Sequence, residues 1–364
     1  MKNFDVVIVG GGTAGLMLAR ELGKLKHKVL ILDRKKNLLE FSFNTLGSFL
    51  KVEDFGLSEN VIAQKIDTAA IHSKYFKHNI KGEAFILDKK LVHKELLDSL
   101  DMKYVTIQLQ TNIKKIYKDS KGRYTSIEDK NGNKYEAKIF VDASGTVGVL
   151  SKIEGLREKN VDFAPGVEYN VKYLGKPTDA HLYFGKELKG GYAWIFPLKN
   201  KRAIVGFGSV DAGMFKNLKN TLNDFIESPR IKKLVVKDNN FIEGGSLPIT
   251  PVLDNFVKQN LVCVGDSVSQ VNPIVGEGYK FIFEAAIMAS KAISKSLEQN
   301  SLDCLFEYED VWRKRFLANY KRSKIAQKRV VKLSNSDFLS NLAMLILLKL
   351  RPNYKNVNSL SGEY

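Results

Sequence analysis

Phe4 to Val9 forms a short apolar run rich in valine and isoleucine, the pattern of a parallel strand covered on both faces. Gly10-Gly11-Gly12-Thr13-Ala14-Gly15 follows, then good helix formers with helical apolar spacing from Leu16 to Leu25. Lys28 to Leu32 is a second buried strand and ends in Asp33, so the chain opens with a strand-helix-strand unit. From Arg34 to Glu83 the pattern is irregular; Asp88 to Leu100 predicts a helix, and Thr106 to Ile116 a strand pair. Asn131-Gly132 between Arg123–Glu128 and Lys134–Val141 is a strong hairpin signal. Between Pro165 and Gly208 short strands dominate, with Val167, Tyr169, Val171 and Tyr173 alternating with polar residues as one face of an antiparallel sheet does. Leu261 to Val264 returns to a buried strand, Tyr279 to Leu297 to a helix, and the chain then reads as helical to about Leu350. No internal repeat interrupts this order.

Composition narrows the class. With 364 residues, 44% hydrophobic and 27% charged, the chain has material for two lobes around real cores. Two cysteines exclude a disulfide framework, and five scattered histidines give no metal-ligand spacing, so no metal is expected. The net charge of +17 suggests an anionic partner, which could be nucleic acid, an acidic lipid surface or a phosphorylated substrate, or else lysine spread over a solvated surface. Arg313 to Lys332 holds nine Lys or Arg and no acid, yet lacks the interleaved aromatics of a nucleic-acid groove, so no nucleic acid is expected. The run Val6–Val9 is too short for a secretory leader, and Phe338 to Leu350 makes only about 20 Å of helix against a roughly 30 Å bilayer core. The expected location is cytoplasmic, with the basic-then-apolar C-terminus admitting peripheral contact with the inner face of an anionic membrane.

The chemistry lies in the turns that end the parallel strands. Gly10, Gly12 and Gly15 form a GxGxxG pattern whose context makes it strong: it follows a buried strand and opens a helix, where glycines permit the tight turn, the approach of a pyrophosphate and close helix–strand packing. Helix amides then hold the pyrophosphate. Asp33, 23 positions after Gly10, can accept from a ribose hydroxyl. Asp142-Ala143-Ser144-Gly145 ends another apolar strand, and Gly265-Asp266 a third, followed by Ser267 to Gly278 and a helix. Gly206-Phe207-Gly208 has Asp211 where a second fingerprint needs glycine.

In this order the three segments resemble the glutathione-reductase-type FAD superfamily, in its p-hydroxybenzoate-hydroxylase-like branch. Two further segments look like the geranylgeranyl reductase family: Asn272 to Gly278, similar to its Asn-Pro-hydrophobic-x-Gly-x-Gly stretch, and Gly191 to Pro197, matching its YxWxFP motif. The resemblance covers roughly residues 3 to 300. It implies an α/β fold in which a Rossmann-type FAD-binding domain (1–70, 84–155 and 255–300) interleaves with an antiparallel β-sheet substrate domain (71–83 and 156–254), followed by a C-terminal helical region (301–364). The implied FAD set is Gly10, Gly12, Thr13, Ala14, Gly15, Asp33, Arg34, Lys89, Ile113, Ala143, Gly145, Asp266, Gly276 and Gly278, with Asp266 on the ribityl chain and the Gly276–Gly278 amides facing the N1/C2 carbonyl side of the ring. Tyr192, Trp194, Phe196 and Pro197 are the implied substrate set, the three aromatics sharing one strand face that could line a tunnel for a polyprenyl chain.

The implied activity is reduction of isoprenoid double bonds by reduced FAD, recharged by an external donor, NAD(P)H or ferredoxin. No catalytic residue is named by the motifs. Two departures bear on this: the family's Cys-Gly pair after the second strand is replaced by Phe43 to Ser48, with Gly47 but no cysteine, and Asp88-Lys89 stands where the branch usually has Asp-Arg. Lysine supplies charge without the planar fork. The alternatives within the branch are a lycopene-cyclase-like enzyme, a flavin-dependent halogenase or a monooxygenase; Tyr192 in place of the halogenase tryptophan counts against the second. A prenyl-lipid carrier, as in the Rab-escort and GDP-dissociation-inhibitor proteins, is the non-enzymatic alternative.

Overall fold

The computed structural model describes residues 4–157, 162–249, 252, 254–274 and 276–350; residues 351–364 of the expected C-terminal region lie outside the described residues. Two sheets organise the chain. In the first, the strands Leu261–Cys263, Lys134–Asp142, Phe4–Val9, Val29–Leu32 and Val105–Gln108 lie side by side and parallel. Val7 pairs with both Leu30 and Phe140, and all three lie in one core, as the continuous apolar run requires. Helices Thr13–Lys24 and Tyr279–Gln299 pack on one another over this sheet. An antiparallel extension, Ile113–Lys118 with Tyr124–Asp129, joins its flank through the hairpin whose Gly132 takes φ +84°.

The second sheet is built from Val235–Val236, Phe163–Tyr173, Arg202–Ser209, Gly191–Leu198, Asp179–Tyr183, Ile62–His72, Lys77–Asp88 and Thr45–Ser48 in that order, with Ile242–Pro248 also paired to Phe163–Tyr173. Apart from the parallel contact between Asp179–Tyr183 and Ile62–His72, its pairs are antiparallel. The stretch from Arg34 to Glu83, irregular in sequence, thus contributes three strands of this sheet, and they reach well beyond the 71–83 excursion expected. One face is covered by the helix Leu218–Glu227 over Tyr169, Val171, Tyr173, Ala193, Ile195 and Phe207. The other face bears the aromatic strand.

C-terminal helices strap the two parts together. Phe306–Trp312 passes through a π-helical turn, Arg313–Leu317, into Ala318–Ser334. Trp312 and Phe316 bury their rings against Phe256 and Phe281 of the first lobe. The next helix, Asp337–Leu350, reaches the second: Asn341 Oδ1 accepts from Ser73 Oγ at 2.8 Å and Tyr75 N at 3.2 Å, and Lys74 pairs with Asp337 at 2.8 Å.

Candidate functional site

The first glycine loop is shaped as its motif predicts. Gly10 takes φ +111°, and a Cβ there would sit 2.3 Å from the Ala143 carbonyl oxygen, so two of the strand-end turns touch through it. A Cβ on Gly15 would lie 1.9 Å from the Gly10 oxygen, which fixes glycine where helix and strand cross. Gly12 differs, for nothing stands within 4 Å of its Cβ position. It caps Thr13–Lys24 with no side chain on the first-turn amides, leaving donors and open space where an anion can approach. Asp33 is drawn inward: its carboxylate accepts from the amides of Gly11 and Lys35, each at 2.7 Å. It therefore braces the glycine loop, while Arg34 next to it is exposed. Ile113 is buried at the start of its strand, within the main core.

The second turn is held by Asp142, fully buried, which accepts from Ser144 N at 3.0 Å and Ser151 N at 2.6 Å; Ala143 is buried beside it, and Gly145 takes φ +65° with open space around it. The third turn brings Gly265, φ +75°, against Ala14. Next to it Asp266 Oδ1 is enclosed and has no hydrogen-bond partner, the condition of an acceptor shaped for a polyol hydroxyl. Burial raises the Asp266 pKa, against the pull of Lys89 and Arg157. Burial lowers that of Lys89, and Asp266 heads the charges that oppose it. The lysine at position 89 is thus within electrostatic reach of the Asp266 carboxylate. Thr13 Oγ1 is 2.8 Å from His93 Nε2, and burial, with Lys89 and Lys35 nearby, lowers His93 to about 3, so the imidazole is neutral.

Gly276, φ +68°, and Gly278 flank Glu277 at the start of Tyr279–Gln299, whose first-turn amides carry no side-chain cap. Glu277 is buried, its Oε1 accepting from the Ser48 hydroxyl and from Phe49 N, its Oε2 unpartnered, and burial pushes it up to about 7. Val275 lies outside the described residues.

Across from this loop lies the aromatic strand. Tyr192, Trp194 and Phe196 are half-buried on one face, Tyr192–Trp194 centroids 5.7 Å apart and Trp194–Phe196 6.2 Å. Pro197 departs from the expectation: with Ala193 and Ile195 it falls on the opposite, buried face, because alternation sends it there. A Cβ on Gly276 would be 3.7 Å from the Tyr192 hydroxyl, and one on Gly47 would be 3.3 Å from the Phe196 ring. The Phe43 to Ser48 segment thus reaches the aromatic face without its cysteine.

Two features of this cleft escaped sequence reasoning. Registered across the sheet, Tyr192 opposes Gly208, Gly208 opposes Gly166, and Gly166 opposes Gly245, while Trp194 opposes Gly206. The indole lies flat on this floor, 3.4 Å from Cβ positions at Gly166 and Gly208 and only 2.2 Å from that at Gly206. Beyond Gly206 in the same row stands Glu168, then Glu243. Glu168 is 5% exposed, its Oε1 has no partner, and burial with the neighbouring Glu243 raises it to about 8, against a Trp194 hydrogen bond and Lys89. A glutamate in the middle of an antiparallel strand carries no sequence signal of its own.

Both raised carboxyls bind their proton more tightly folded than unfolded. Stability is then fully present below the ordinary value of 4.5 and is lost as pH rises through about 7 for Glu277 and about 8 for Glu168. Urea unfolding of the flavin-free protein and of Glu277→Gln is expected to show the stability of the unaltered chain relative to the variant falling from pH 5 to pH 8, a difference in which the buried histidines cancel; a difference that does not change with pH would remove Glu277 as its source.

A family model described as lycopene cyclase protein matches residues 5–356. The chain belongs to this family. Within its reach, digeranylgeranylglycerophospholipid reductase 3 of Methanosphaera stadtmanae is 27% identical over 331 residues, 85% of this chain and 82% of that one. The like-named reductase of Methanocaldococcus jannaschii is 27% identical over 93% of this chain and 90% of its own length. The solved geranylgeranyl bacteriochlorophyll reductase-like protein of Thermoplasma acidophilum superposes with a TM-score of 0.83 at 22% identity, covering 94% of this chain and 91% of that one. The geranylgeranyl reductase resemblance read from the motifs is met by these relatives, and the Rossmann-type fold with its antiparallel second sheet is shared with the Thermoplasma acidophilum protein.

Proposed function

We propose that the chain is an FAD-dependent reductase of isoprenoid carbon–carbon double bonds, acting on a geranylgeranyl lipid. The observation that carries this reading is the half-buried Tyr192–Trp194–Phe196 face on its glycine floor, directly against the Gly276–Gly278 loop. An apolar aromatic face on a glycine floor suits a prenyl chain, and the relatives are named as reductases of a digeranylgeranyl lipid. FAD fits the residues present: Gly12 leaves room for a pyrophosphate, Asp33 stands at the ribose end, and the unpartnered Asp266 Oδ1 suits the ribityl chain. Bound and reduced, FAD supplies the hydride. The chain's own residues orient the lipid, exclude water with the aromatic face and hold the carboxyls of Asp266 and Glu277 beside the ring-side loop. An external donor, NAD(P)H or ferredoxin, recharges the site.

The description of the family model favours cyclisation as a second reading. Anaerobic incubation of dithionite-reduced protein with geranylgeranyl phospholipid separates them: reduction adds about two mass units per double bond, whereas an isomer of unchanged mass means cyclisation and overturns the reductase reading.

Such a lipid resides in a membrane, although no helix among the described residues is long and apolar enough to cross one. Phe338, Leu342, Leu345 and Ile346 form an exposed apolar face of Asp337–Leu350, next in sequence to the lysine- and arginine-rich Ala318–Ser334. This pair of helices is read as a peripheral contact with anionic lipid. Phe338→Ser with Ile346→Ser is expected to weaken cosedimentation with phosphatidylserine vesicles by about tenfold, and equal binding would remove the contact.

A further inference from the structure

Reduction of an alkene needs a proton as well as a hydride, and the motifs name no donor. Among the carboxyls around the cleft, Asp266 and Glu277 belong to the flavin-side turns, and Glu277 is tied through Oε1 to Ser48 and Phe49. The His72–His181 pair, 3.0 Å apart, and Arg230 beside it lie on the helix-covered face of the second sheet, away from the aromatics. Glu168 is differently placed. It shares a cross-strand row with Gly206 and Trp194, so its side chain rises from the face that bears the aromatic ridge, and one of its oxygens is enclosed without a partner. Lys89 lies within electrostatic reach of both Asp266 and Glu168.

We propose that Glu168 is the proton donor of the reaction, delivering its carboxyl proton to the alkene carbon opposite the one that receives hydride. This rests on the reductase reading. The step balances: the π bond breaks, a C–H bond forms at one carbon with the hydride and its two electrons drawn from reduced flavin, and a second C–H bond forms as the Glu168 O–H bond breaks. The carboxylate left behind regains its proton from solvent before the next turnover. A carboxyl held at about 8 is protonated at neutral pH, and its burial beside Glu243 makes the charged form unfavourable until the proton has a taker. Glu243 raises this affinity, while Lys89 and the Trp194 hydrogen bond lower it, and these are the groups facing it from the adjoining elements.

Two measurements test the assignment. In flavin-free protein carrying Trp312→Phe, which leaves Trp194 as the one tryptophan of two, fluorescence is expected to titrate near pH 8 and to lose that transition in Glu168→Gln. In the reduced holoenzyme, Glu168→Gln should lower turnover of geranylgeranyl phospholipid at pH 7 by at least about 100-fold with flavin content and lipid-induced quenching of Trp194 unchanged, and Glu168→Asp should recover part of it. Glu243→Gln should move the alkaline limb of the pH profile to lower pH, since a like charge has been removed. Turnover of Glu168→Gln within about threefold of the unaltered chain, or a fluorescence transition that survives it, overturns the role of Glu168. Absence of reduction by the unaltered chain overturns instead the reading on which it rests.

Discussion

Gly12→Val is expected to purify with under about a tenth of the flavin carried by the unaltered chain, while the flavin-free protein unfolds within about 1 kcal/mol of it. The Cβ of residue 12 meets nothing within 4 Å, so the folded protein has no steric reason to object, and Gly12 holds φ −80°, a backbone any residue adopts. What the side chain fills is the space over the uncapped first-turn amides of Thr13–Lys24, the proposed seat of the pyrophosphate. Losing that approach should weaken FAD at least about 100-fold, or about 2.7 kcal/mol. Gly15→Ala makes the contrast. Its Cβ would stand 1.9 Å from the Gly10 oxygen, a backbone atom that cannot swing aside, so stability itself should fall by about 1–3 kcal/mol along with flavin content. Absorbance ratios of purified protein and urea unfolding read both quantities. Full flavin in Gly12→Val would sink the pyrophosphate assignment; an unstable Gly12→Val would show that the glycine serves the fold as well as the ligand.

The parallel core was legible because its strands are buried on both faces and so read as apolar runs, each ending in a turn of restricted composition. The strands Ile62–His72 and Lys77–Asp88 were not. Their outward positions carry Lys65, Asp67, Lys77, Asn79 and Lys81, and their inward ones include Ala70 and His78, so neither alternation nor hydropathy marks them. Register alone reveals their place.

The site divides in the same way. Glycines that obey backbone geometry, such as Gly10 and Gly265, are visible as motif positions at strand ends. Gly166, Gly206, Gly208 and Gly245 hold no positive φ; they are glycine because rings lie on them, Trp194 on the first three and Phe43 on the last. Gly206-Phe207-Gly208 resembled half of a nucleotide fingerprint in sequence and is, in space, a floor with Phe207 buried beneath it. Glu168 was invisible for a related reason: its neighbours in the row come from three other strands.

Gly206→Ala is expected to lower turnover of geranylgeranyl phospholipid about as far as Trp194→Ala does, by roughly 50-fold, with flavin content unchanged in both. A single methyl group would sit 2.2 Å from the indole and 2.6 Å from its Nε1, so the ring must leave the floor. A displaced Trp194 narrows the cleft and withdraws its hydrogen bond from Glu168, and a prenyl double bond held about 1 Å out of place is enough to cost a factor of this size. The double variant decides whether one cause underlies both losses. If Gly206 matters only as the bed of Trp194, then Gly206→Ala in a Trp194→Ala background has no ring to displace, and the pair should fall within about threefold of Trp194→Ala alone. Multiplying losses would mean that the glycine serves the cleft independently, with the prenyl chain itself lying against the strand. Turnover unchanged in all three would remove the aromatic ridge from the reaction and leave the flavin loop as the sole part of the site with a function.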